Sequence, residues 1–144
     1  MLISLQAVQD PVVVKIIALL RAARPQLDAD GKAMDRASSG VPYGPGEAYI
    51  DPNEAVGSMR RHIQSLRTSV LAQSGATPAA ASARDLTAQT LLEMDQSLDK
   101  LAKSVDSDDD TAATALRDES VQLLRQAAIT SVKAGTALGI PWPL

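Results

Sequence analysis

The chain has 144 residues, 45% of them hydrophobic, with a formal net charge of −3, no cysteine, one histidine, and 2% aromatics with no phenylalanine. That length suits one domain with a core, and the missing cysteines exclude disulfides, thiolate catalysis and sulfur-ligated metals. The acidic balance argues against a general nucleic-acid binder, and a core of Leu, Ile, Val, Met and Ala favours helices over strands.

At the start of the chain, Met1-Leu2-Ile3-Ser4 carries no basic leader and Asp10-Pro11 interrupts the apolar stretch, so no cleaved signal is expected. The densest apolar run, residues 12–20, contains Lys15 and is about half the length of a bilayer-spanning helix. The expected location is the cytoplasm, or the interior of a virion or other large particle.

Asp10-Pro11 reads as a helix start, with the aspartate capping free N–H groups and proline at the first position, where a missing N–H costs nothing. Val13, Ile16, Ile17 and Leu20 follow at helical spacing. A proline pushes its predecessor out of the helical region, so Arg24-Pro25 is expected to close a helix of about residues 11–24. Residues 27–50 lose the period and gain Gly31, Gly40, Pro42, Gly44, Pro45 and Gly46. They are expected to form a long loop, a feature usually functional or disordered.

Asp51-Pro52-Asn53-Glu54 repeats the start signal, with Glu54 placed to complete a capping box, and predicts a helix over 52–74. Its Val56, Met59, Ile63, Leu66 and Val70 alternate steps of three and four, and Ser74-Gly75-Ala76-Thr77-Pro78 is expected to stop it. A third helix, 82–105, carries Leu91, Met94, Leu98, Leu101 and Val105 at the same steps. Two such seams joined by a short connection predict a helical hairpin. Residues 55–84 hold arginines and no acid, whereas residues 85–119 are strongly acidic, so antiparallel pairing brings opposite charges together.

A fourth helix, 110–137, offers Leu116, Leu123, Leu124, Ala127 and Ala128, flanked by Val121 and Val132, with small residues near its end that permit close packing. Residues 139–144, GIPWPL, form an extended tail. The expected fold is one all-α domain over 1–144, a four-helix bundle or a long antiparallel hairpin with additional helices.

Sites for chemistry are sparse. Asp106, Asp108 and Asp110 alternate as calcium-loop ligands do, but Thr111 stands where the loop needs glycine and Arg117 where it needs glutamate. His62 has no second histidine or cysteine with which to form a catalytic pair or zinc site, and reads as a solvated or boundary side chain. Four glutamates without Glu-x-x-His do not make a di-metal bundle. The Gly40 to Gly46 stretch lacks the Lys-Ser or Lys-Thr of a phosphate cradle. No catalytic residue, cofactor, metal or small-molecule substrate is expected.

Arg60 and Arg67 share a face of the second helix and could meet phosphates, but no aromatic lies between them to stack on bases. Tyr43, Tyr49 and Trp142 all fall outside the predicted helices. Pro141 and Pro143 stiffen the tail around Trp142, and a stiff apolar segment docks with little entropy loss. Two alternatives stand open. The tail covers one end of its own bundle with the tyrosine loop beside it, or it docks on a partner.

The candidate partner-binding residues are therefore Tyr43, Tyr49, Trp142, Ile140, Leu144, Arg60 and Arg67. The expected function is a non-enzymatic helical subunit of a larger protein assembly, such as a virion or phage structural component, with copies of itself or another protein as partner. The alternative is a small regulatory adaptor or helical-hairpin effector that binds one protein transiently.

Overall fold

In the computed structural model, which describes residues 10–74 and 77–144, the regular elements are four helices, with no strand among the described residues. They are α1 (Pro11–Ser38), α2 (Pro52–Leu71), α3 (Pro78–Asp106) and α4 (Asp110–Leu138). The leader reading on residues 1–9 and the Gly75-Ala76 part of the expected stop lie outside the described residues. No helix among the described residues is long and apolar enough to cross a membrane.

Three helices open with the same device. Asp10 accepts from the Val12 N–H, Asp51 from the Asn53 N–H and Thr77 from the Ala80 N–H, each followed by proline at the first helical position. Thr77-Pro78 therefore starts α3, which begins ahead of the expected Ser82, and α2 ends at Leu71. The Thr77 hydroxyl also donates to Asp10, joining the starts of α1 and α3. Backbone donation from Val12 holds the Asp10 carboxyl below its ordinary range.

The largest departure is α1, which passes through Pro25 and continues to Ser38, so much of the expected loop over 27–50 is helix. Pro25 sits on the exposed side, where a lost N–H and an outward bend leave the packed stripe intact. That stripe, Val13, Ile16, Leu20, Ala23, Leu27, Asp30 and Met34, alternates steps of three and four along the helix. Burial of Leu27, at about 1.5–3 kcal/mol, and the anchoring of Asp30 offset the proline cost of about 3 kcal/mol.

The helices pack in sequence order, α1 on α2, α2 on α3 and α3 on α4, with a slighter contact between α1 and α3. The core holds Ile16, Leu20, Ile63, Val70, Leu91 and Leu138. Arg60 on α2 meets Asp95 and Asp99 on α3, so the opposite charges of these helices do pair. The Asp95 carboxylate raises the Arg60 guanidinium, and Lys103 is the main cause lowering Asp99.

The most extensive interface, between α3 and α4, is built from small residues. Ser97 and Ser120 each donate a hydroxyl to the other's backbone carbonyl, both at 2.8 Å. Seven-residue steps in opposite directions from this pair set Thr90 level with Ala127, Ala83 with Ala134 and Ser104 with Ala113, all of them buried. Side chains this short let the helix axes approach closely. The expected apolar face of α4 is thereby corrected. Leu124 is 58% exposed and Val132 68%, while Leu116 and Leu123 are half-buried, because the small-residue stripe faces α3.

One group in this region lacks a partner. Glu93 is 4% exposed, and its Oε1 has no hydrogen-bond partner among the described residues. Glu93→Met removes an unsatisfied buried oxygen at similar volume, and urea unfolding is expected to show a gain of about 1–3 kcal/mol.

Candidate functional site

The tail is turned back by the end of α4. Gly139 adopts φ 76°, and the N–H groups of Gly139 and Ile140 donate to the carbonyls of Thr136 and Gly135, a Schellman closure. The chain then lies so near Gly135 that a Cβ there would stand 2.8 Å from the Ile140 oxygen and 3.0 Å from the Trp142 nitrogen. Ile140, Trp142 and Leu144 are partly buried against the core of their own chain. Gly135→Val is expected to lift the tail, red-shift the emission of Trp142 and lower stability by about 1–2 kcal/mol, measured by fluorescence during urea unfolding.

The tyrosine loop stands at the opposite end of the helices, where Asn53 at the start of α2 donates to Asp106 at the end of α3. The tail and the loop therefore do not pack beside each other. Arg36 organises the loop by donating to Glu47 and to the carbonyls of Val41 and Pro42, while its guanidinium lies 3.9 Å from the centroid of the Tyr43 ring. The Tyr43 hydroxyl accepts from the Ile50 N–H, and its ring meets Tyr49 edge-on at 5.3 Å. Tyr43 is thus used inside the loop, whereas Tyr49 is 73% exposed.

Hydrogen bonding from Arg36 lowers the Glu47 carboxyl from 4.5 to about 2. A lowered carboxylate contributes stability that is fully present above the unfolded value and disappears as the pH falls through the folded one. The loop is accordingly expected to loosen between pH 4.5 and about 2, and a carboxyl NMR titration of Glu47 checks the midpoint.

The candidate partner-binding arginines are engaged within the chain. Arg60 bridges Asp95 and Asp99, and Arg67 donates to the Ala88 carbonyl. His62, in the middle of α2, has Nδ1 2.6 Å from Asp30, and Ser58 donates to the other oxygen of that carboxylate at 3.0 Å. Serine, histidine and aspartate are together here, but the carboxylate is in the middle. The Ser58 hydroxyl donates to Asp30 and not to His62, so the three do not stand in the order of a Ser-His-Asp triad. The trio acts as a polar clasp between α1 and α2. Among the described residues no three metal-ligating side chains of His, Asp or Glu converge.

The feature that periodicity did not reveal is an apolar groove. It has a volume of ≈ 290 Å³ and runs between the C-terminal half of α1 and the middle of α4, over α3. Met34, Met59, Met94, Leu98, Leu101 and Leu124 line it, so each of the helices contributes. Met94 and Leu124 also border a second cleft, of ≈ 240 Å³, which reaches Trp142 and Leu144. Beside both lies the exposed ridge of α4, formed by Val121, Leu124, Ala128 and Val132. The ridge exists because α4 attaches to the rest of the chain almost wholly through α3, which leaves Val121, Leu124 and Val132 in water. Comparison with protein-family models, curated proteins and solved structures finds no match to this chain.

Proposed function

We propose that the protein is a non-enzymatic helical subunit of a larger protein assembly and docks through α4 and the adjoining groove. One observation carries this reading: Val121, Leu124 and Val132 of α4 face solvent beside a methionine-lined groove, and Leu124 also borders the second cleft that reaches Trp142 and Leu144. A contiguous apolar surface of this kind marks a protein interface. The groove lies at the lower edge of the ~300–1,000 Å³ range of small-ligand pockets and suits a few aliphatic side chains. Tyr49, exposed on a loop stapled by Arg36, offers a second contact at the far end.

The adaptor reading has one observation in its favour, because methionine adapts its shape to different partners. Light scattering on the full chain and on the double variant Leu124→Asp, Val132→Asp separates these outcomes. Association of the full chain that the variant loses supports the subunit reading. A chain that stays single over the whole concentration range, with a variant of unchanged behaviour, contradicts it.

A further inference from the structure

The surface of α4 is a ridge beside a groove, and such an arrangement is self-complementary when a two-fold axis exchanges the two. We propose, building on the subunit reading, that the occupant of the methionine groove is a second copy of this chain. The two α4 helices lie antiparallel about an axis near Val121, and each ridge enters the other's groove.

The levels of the helices give this geometry its support. Asp30 on α1 is bonded to Ser58 and His62 on α2, Arg60 on α2 to Asp95 on α3, and Ser97 on α3 to Ser120 on α4. Residue 30 of α1 therefore stands level with the region around residue 121 of α4, and these two helices run in opposite directions. A two-fold axis at Val121 makes the incoming α4 parallel to α1. Leu124 of the second copy then arrives at the level of Met34, on the groove wall.

Charge agrees with this register. Arg117 and Arg125, both exposed on α4, arrive near the levels of Asp28 and Asp35, both exposed on the groove side of α1. The arginines are eight residues apart and the aspartates seven, or about 12 and 10.5 Å along their helices. Among the described residues Asp28 is held only by an exposed 3.7 Å pair with Arg24, which can yield to a new partner. Asp35 lines the groove itself.

The chain contains no cysteine, so single cysteines can be introduced without background. Oxidation of Val121→Cys is expected to give a disulfide-linked dimer, while Val132→Cys, more exposed but far from the axis, remains single. In sedimentation equilibrium, Arg117→Glu with Arg125→Glu is expected to weaken association on the order of a hundredfold, and adding Asp28→Arg with Asp35→Arg to restore it. These positions are exposed, so folding is not at stake, and circular dichroism verifies it. An association that Leu124→Asp abolishes but that ignores the charge reversals, with no Val121→Cys crosslink, overturns this two-fold arrangement and leaves the subunit reading intact. A chain that never associates overturns the second copy as occupant; if Leu124→Asp with Val132→Asp also changes nothing, the subunit reading fails with it.

Discussion

Ser120→Leu is expected to lower stability by about 3 kcal/mol and to release α4 from α3, giving a shallower, lower-midpoint urea transition. The reciprocal Ser97–Ser120 pair lies in the middle of an interface whose other positions are Ala83, Thr90, Ser104, Ala113, Ala127 and Ala134. Nothing there can move aside for a branched side chain except the helix itself. Overpacking costs about 1–3 kcal/mol, and two hydroxyl hydrogen bonds are lost at about 1 kcal/mol each. Ser120→Ala separates the contributions: it removes the hydroxyl without adding volume, and a loss near 1 kcal/mol is expected. Equal costs for the two variants would show that close approach is not what joins these helices.

Asp30→Ala is expected to cost about 2–3 kcal/mol. The carboxylate accepts from Ser58 and meets His62 at 2.6 Å, and it is itself buried. Removing it leaves the Ser58 hydroxyl and the His62 imidazole of α2 without their partner on α1, which costs more than a hydrogen bond contributes. Asp30→Asn keeps one acceptor oxygen and is expected to cost about half as much. Hydrogen exchange gives the local signature, with faster exchange in α1 beyond Pro25, where the clasp is the main polar anchor, and little change in the N-terminal half of α1.

These two sites also mark where the sequence was and was not legible. The seams of α2 and α3 were readable because Ile63, Leu66, Leu91 and Leu98 are large, apolar and regularly spaced. The seam of α1 continues past Pro25 with the same steps, but it passes through Ala23 and Asp30, and a buried aspartate looks like a surface residue until its partners on another helix are known. Whether a proline stops a helix depends on the face it occupies, and Pro25 lies on the exposed one. Thr77-Pro78 has the form of Asp10-Pro11 and Asp51-Pro52 and starts a helix, although the glycine ahead of it signals a turn.

The α4 interface was hidden for a different reason. Apolar periodicity scores leucine and valine above alanine and serine, so it places Leu124 and Val132 beside Ala127 on the packed face and passes over Ala113, Ser120 and Ala134. The seven-residue recurrence of small residues was present on both helices, at 83, 90, 97 and 104 and at 113, 120, 127 and 134. Reading those residues as the buried side turns the larger ones outward, and the ridge follows. The aromatic residues drew attention as docking elements, yet Tyr43 works inside its own loop and Trp142 lies partly on its own helices. Gly135, which admits the tail, carried no signal without the three-dimensional contact.

The most direct measurement is amide hydrogen exchange of the full chain at low and high protein concentration. If the ridge and groove form an assembly surface filled by copies of the chain, amides over residues 117–132 of α4 and 31–35 of α1 exchange more slowly at high concentration, while the N-terminal half of α1 does not change. Identical exchange at both concentrations would mean that Val121, Leu124 and Val132 stay in water, and would contradict an assembly built from this surface.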